Sequence, residues 1–148
     1  MMREDIETEY RLGCEAHSRE DYATALERWK PIAIQGHPTA QYLMGCLHDQ
    51  GQRATQDDEE AVKWFRLAAE QGDPDAQFAL GEKYLAGKGV PHDLRVAAKW
   101  YILADENGHQ VAGQILEEIF YFANPDCVRE AYEARRLERA NLPSRGEL

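Results

Sequence analysis

Gly36, Gly72 and Gly108 lie 36 residues apart, and the chain matches itself at that spacing over most of its length. Ala40, Ala76 and Ala112 keep the same step, as do Ala25, Ala61 and Ala97, each preceded four residues earlier by Asp21, Asp57 or Asp93. The blocks that match best are AQYLMGCLHDQG (40–51) and AQFALGEKYLAG (76–87), with a weaker AGQILEEIFYFA at 112–123. A period of this length means one supersecondary element copied and stacked, each copy burying its apolar face on the next. The register also sorts the aromatic residues. Trp29, Trp64 and Trp100 are spaced by 35 and 36, but the glycine and alanine series sets Trp29 opposite Phe65 and Tyr101, and Arg28 opposite Trp64 and Trp100.

Each unit reads as two helices. Ala40, Met44, His48 and Gly51 fall at helical spacing, as do Ala76, Leu80, Tyr84 and Gly87. Gly45 and Gly81 supply a small residue where a partner helix comes close. The second helix opens at Asp57 or Asp93, a residue type that caps helix N-termini, and ends before Gly72 or Gly108, where glycine accepts the left-handed conformation. Pro38 and Pro74 then start the next helix, where a missing N–H costs little. No strand pattern competes, and the expected fold class is all-α. The pairs are expected to form an α/α superhelix, a short right-handed solenoid of antiparallel helix pairs in one domain. Its units run over 5–36, 37–72 and 73–108, followed by a capping helix pair at 109–141 and a polar tail at 142–148.

Residues 76–108, AQFALGEKYLAGKGVPHDLRVAAKWYILADENG, carry the pattern A-x-x-x-L-G-x-x-Y-x-x-G-x-G-V-x-x-D-x-x-x-A-x-x-W-x-x-x-A with Asp105 in place of a second alanine before the closing glycine. This resembles the Sel1-like repeat, a relative of the tetratricopeptide repeat. Residues 40–72 depart from it at His48, which replaces the tyrosine, and at Arg53-Ala54, which replace the second glycine and the valine. The first unit is four residues shorter between Gly13 and Ala25, which implies a tight turn, and the unit beginning at Ala112 has Glu117 where the glycine belongs. The resemblance implies a non-enzymatic protein–protein interaction module or adaptor. Known cysteine-rich relatives proposed to act on β-lactams have a disulfide spacing that is absent here, and no Ser-x-x-Lys nucleophile motif follows Ser18 or Ser144.

The net charge of -10 argues against a nucleic-acid partner, which needs clustered Lys and Arg. Residues 126–148 are balanced, with five Arg and five acids, and read as a solvated helix face. No segment reaches the ~18 consecutive apolar residues of a membrane span, and MMREDIETEY at the start has no export character, so a cytoplasmic setting with free thiols at Cys14, Cys46 and Cys127 is expected.

Three candidate chemistries compete with partner binding. In GEKYLAGKGVPHD (81–93), Gly87-Lys88-Gly89 resembles part of a phosphate-binding loop. Five residues instead of four separate Gly81 from Gly87, however, Gly89 stands where the Mg²⁺-binding hydroxyl belongs, and the preceding segment is helical. Both glycines are therefore expected to serve the turn, with Val90 in the core and Lys88 at the surface. Cys14, His17, Cys46 and Asp49 are the alternative, a set that would serve a metal- or thiol-dependent enzyme, but no Cys-x-x-Cys or His-Glu-x-x-His spacing supports it. The three and a half units also leave open a weakly self-associating structural protein. His37 and His109 are expected as exposed turn residues, and His48 as an interhelix residue.

The leading expectation is a partner-binding groove on the first helices, which line the concave side of such stacks. It comprises Tyr10 and Cys14 in the first unit, Tyr42, Cys46 and Asp49 in the second, Phe78 and Glu82 in the third, and Glu118 in the cap. The aromatic members either face a ligand or pack between helices. The expected partner is a protein or peptide with basic and apolar residues. No catalytic, cofactor or metal site is expected.

Overall fold

A computed structural model describes residues 2–50 and 57–142. Gly51, Arg53 and Ala54, and Ser144 and Arg145 near the end of the chain, lie outside the described residues. Among the described residues there is no strand. The helices are α1 (Arg3–Ser18), α2 (Tyr22–Ile34), α3 (Pro38–Asp49), α4 (Asp58–Glu70), α5 (Pro74–Ala86), α6 (Leu94–Glu106), α7 (Ala112–Glu118) and α8 (Pro125–Ala140), with a π-helical turn Ile119–Ala123 prolonging α7. Each of α1 to α7 packs on the helix that follows it up to α6–α7, and α8 returns against both α6 and the π turn. None of the helices is long and apolar enough to cross a membrane.

The local signals act as their chemistry dictates. Asp21, Asp57 and Asp93 cap α2, α4 and α6, each carboxylate accepting backbone N–H groups of the first turn. Asn124 does the same for α8. Pro38, Pro74 and Pro125 occupy the first turns of α3, α5 and α8. Gly87 ends α5 at φ 68° and Gly89 follows at φ 75°, and a Cβ on Gly89 would lie 2.4 Å from the Asp58 carbonyl oxygen. The glycine pair is thus a turn pressed against the start of α4, with Lys88 exposed and Val90 only half-buried rather than deep in the core.

Each of the first three helix pairs is locked by one aromatic ring lying on a glycine. Trp29, Phe65 and Tyr101 stand eight residues after the caps Asp21, Asp57 and Asp93 and are 1%, 2% and 1% exposed. Their rings lie where a Cβ of Gly13, Gly45 or Gly81 would project. That atom would come 2.9 Å from Tyr101 and 2.5 Å from Phe65, and closer still to Trp29. The core therefore runs along the stack as three clusters, one around Trp29 and Met44, one around Phe65 and Leu80, and one around Tyr101, Ile102 and Leu116.

Two buried polar residues join successive units. Gln41 and Gln77, 36 apart, donate from Nε2 to the carbonyls of Ala33 (3.0 Å) and Ala69 (3.1 Å). Their Oε1 atoms accept from Gln71 (2.7 Å) and Asn107 (3.0 Å), which cap the C-termini of α4 and α6. Each glutamine thus links the second helix of one unit to that of the next through the first helix between them. The next position in the series is Gly113, which has no side chain, and the ladder stops there. Replacing Gln41 by Leu leaves the Ala33 carbonyl without this donor and Gln71 without this acceptor. The expected loss is about 1–3 kcal/mol in denaturant unfolding, whereas the same substitution at exposed Gln50 leaves stability nearly unchanged.

Candidate functional site

Starting from the first helices, the structure divides the expected groove residues into three environments. Tyr10 and Cys14 on α1 are half-buried. The Tyr10 ring stacks on His37 at 5.4 Å, and burial, then its hydrogen bond with Cys14, pushes its phenol pKa up. Phe78 on α5 is covered in the same way, 4.1 Å and 11° from the ring of His109, with Tyr101 on its other side at 5.4 Å. His37 and His109 are therefore not exposed turn residues. Each lies half-buried in the turn before the next first helix, Nδ1 accepting from Ala40 N (3.1 Å) or Val111 N (3.3 Å), while its ring closes over the preceding aromatic side chain. The row Tyr10, Tyr42, Phe78 thus packs largely between helices, Tyr42 against Phe65 at 5.8 Å.

Asp73 takes the capping position between His37 and His109, accepting from Ala76 N at 2.9 Å. The change from imidazole to carboxylate alters what lies beside the second unit. Burial pushes the Tyr42 phenol well up and raises the Cys46 thiol, and the charges of Asp73 and Asp75 act in the same direction on both. Burial and then the Asp49 charge raise Glu82. Asp73 and Asp75 thus act on both Tyr42 and Cys46, and Asp49 on Cys46 and Glu82, where Lys83 and His109 partly offset it. The sequence reading did not include Asp73 and Asp75. Their signal was the GDPDAQ turn at 72–77, where two acids flank the proline. Glu118 is exposed on α7, in the cap.

Asp49 is not a free acid in this face. The ammonium of Lys83, only 8% exposed, is held between Asp49 and Asp58, with its Nζ 2.7 Å from Asp58 Oδ1. Burial opposes the charge on Lys83, but the two carboxylates outweigh it and hold its pKa above the ordinary lysine value. This ties α5 to both helices of the preceding unit.

The residues of the metal or thiol alternative are not brought together. Cys14 bonds with Tyr10, His17 packs on Tyr22 and Trp29 at 5.4 and 5.6 Å, Cys46 bonds with Tyr42, and Asp49 binds Lys83. Among the described residues no three His, Cys, Asp or Glu side chains converge as a metal cluster. Cys46 is held as a neutral thiol, the opposite of an activated nucleophile.

The charges of α8 also differ from a purely solvated face. Arg135 and Arg139 bind Glu106 on α6 at 2.9 and 3.4 Å, and Arg95 and Lys99 of α6 reach Glu130 and Glu138 of α8. The last helix is sewn to its neighbour along its length.

Stacked helix pairs with a regular glycine–aromatic lock and polar links between units define a helical-repeat solenoid. The chain is a member of the Sel1 repeat family, whose model matches residues 38–73 and 74–109. Similar solved structures include a protective antigen of uropathogenic Escherichia coli strains displaying an SLR fold, with 35% identity over 80% of this chain and a TM-score of 0.74. Another is a Sel1 repeat protein from Oxalobacter formigenes, with 36% identity over 77% of this chain and a TM-score of 0.69. This chain spans 27% and 34% of the lengths of those two chains. No curated protein matches its sequence significantly. Sel1 repeat proteins generally mediate protein–protein interaction and are typically non-enzymatic scaffolds.

Proposed function

We propose that this protein is an adaptor that holds a basic, partly apolar segment of a partner protein against the first helices of its second and third units. The observation that carries this reading is the set of acids Asp49, Asp73, Asp75 and Glu82 on α3, α5 and the turn between units, of which Asp73 and Asp75 act on both Tyr42 and Cys46. A cation brought there relieves the Asp49 repulsion that, after burial, raises Glu82, and the edges of Tyr42 and Phe78 offer apolar contact. Lys83 is engaged by its two carboxylates and leaves Asp75 and Glu82 as the exposed members. Charge of this kind sets partner choice and encounter rate more than raw affinity.

Selection of binders from a random displayed peptide library tests the reading. The expected result is enrichment of Lys and Arg next to apolar residues, with binding lost at least tenfold on combining Asp75→Lys with Glu82→Lys, roughly the effect of 1.4 kcal/mol or more, while melting is unchanged. Enrichment of acidic or uncharged peptides, or binding that survives both charge reversals, overturns it.

A further inference from the structure

The glycine–aromatic lock is absent from the last helix pair. Counting eight residues from the cap Asn124 gives Tyr132, the counterpart of Trp29, Phe65 and Tyr101. Its partner position on α7, however, is Glu117 where the other units have Gly13, Gly45 and Gly81. The ring of Tyr132 is not seated on α7 as the others are seated on their glycines, and it remains 47% exposed. One turn earlier on α7, Gly113 stands where Gln41 and Gln77 are buried in the other units, and the Asp105 carboxylate lies over it, Oδ1 3.0 Å from where a Cβ would project. The result is a cavity of about 520 Å³ between α7 and α8, open to solvent. Phe120, Tyr121 and Tyr132 line it together with the carboxylates of Asp105 and Glu117.

We propose that this cavity receives an arginine side chain from a basic segment of a partner protein. Tyr121 is 74% exposed, stands edge-on to Phe120 at 5.3 Å, and with Tyr132 offers ring faces to a planar cation. Among the described residues neither Asp105 nor Glu117 has an ion-pair partner, so both remain for the forked donors of a guanidinium. Arg129 also lines the cavity, but its guanidinium lies 3.3 Å from Asp126 outside it. Burial, followed by the charges of Asp105, Glu106 and Glu117, raises the Tyr132 phenol, which fits a site biased toward positive charge. The inference rests on the protein being an interaction module, but uses none of the α3 and α5 residues.

Titration of the ¹⁵N-labelled protein with N-acetyl-arginine N-methylamide, followed by amide chemical shifts, tests it. Saturable shifts at Gly113, Glu117, Tyr121 and Tyr132 are expected, and none with the uncharged citrulline analogue. Glu117→Gln, with unchanged melting, weakens the interaction several-fold. If that variant melts early, Tyr132→Leu serves in its place, because it removes a ring face without touching the carboxylates. Glu82→Lys leaves these shifts unaltered, so failure here and failure of the α3–α5 surface are separately visible. Absence of shifts, equal shifts with citrulline, or shifts confined to α3 and α5 overturn the proposal. Concentration-dependent shifts at the same amides without probe also overturn it, by assigning the cavity to a second copy of the chain.

Discussion

Gly13→Ala is expected to cost about 2–3 kcal/mol, and Gly81→Ala no more than about 1 kcal/mol, although both place one methyl group on an interior helix position. In an isolated helix each change gains up to ~1 kcal/mol, because alanine loses less backbone freedom on folding. The sign is reversed by what each methyl meets. At Gly81 it comes 2.9 Å from the Tyr101 ring, a gap that a small tilt restores. At Gly13 it lies inside the indole of Trp29, which is 1% exposed and fixed by its Nε1 donating to the Tyr10 carbonyl at 3.2 Å. The indole cannot retreat without breaking that bond or opening α1 from α2. Thermal melting of the two variants checks the order, with a drop of roughly 4–12 °C expected at Gly13. Equal melting temperatures would mean that the ring-on-glycine lock does not hold the pairs together.

The second large effect is expected at Lys83. Lys83→Met keeps most of the stem volume but leaves Asp49 and Asp58 without the cation between them. Removing one partner of a fully buried pair costs about 3–5 kcal/mol. Here the carboxylates are 36% and 30% exposed, and water recovers part of that, so about 2 kcal/mol is expected at neutral pH. The pH dependence identifies the cause. The folded-state pKa of Lys83 is raised above the ordinary 10.5. The stabilisation is therefore complete below that value and is lost as pH rises through the higher folded value. The wild-type protein and Lys83→Met should accordingly converge in urea unfolding above about pH 10.5. A difference that stays constant across that range would assign the loss to packing instead of charge.

The same residue shows where sequence patterning stops being informative. Position 83 falls 36 after Leu47 and 36 before Ile119, and all three side chains are buried. A lysine in that slot breaks the apolar stripe, and only the placement of Asp49 and Asp58 from another unit makes it tolerable. Gln41 and Gln77 are the converse case. They recur at the period and so were visible, but burying an amide depends on carbonyls and amides brought in by neighbouring helices. The glycines, the aspartate caps and the opposition of Trp29, Phe65 and Tyr101 were legible because each is decided by backbone geometry within one unit or by the period itself. The candidate surface was legible in part. The spacing of the first helices suggests Glu82 for the groove, whereas His37 and His109 read as exposed turn residues, since a ring that folds back over its neighbour leaves no periodic trace. Glu117 was seen as a departure, but the cavity it opens depends on where Asn124 starts α8.

The amide ladder of Gln41 and Gln77 also bears on how such a chain changes length. Each rung is closed by groups 30 residues ahead and eight behind, and the rungs are interchangeable because both use the same atoms. Adding or removing whole steps of 36 residues, with cuts in the turns, keeps every rung: excision of 37–72 would bring Ala33 opposite Gln77 and offer its carbonyl in place of that of Ala69. A different increment placed between a rung glutamine and the carbonyl eight residues before it leaves the buried amide facing the wrong group. Gly113 terminates the count. The ladder thus acts as a ruler for gene duplication, one that admits new units ahead of the cap and offers no rung beyond it.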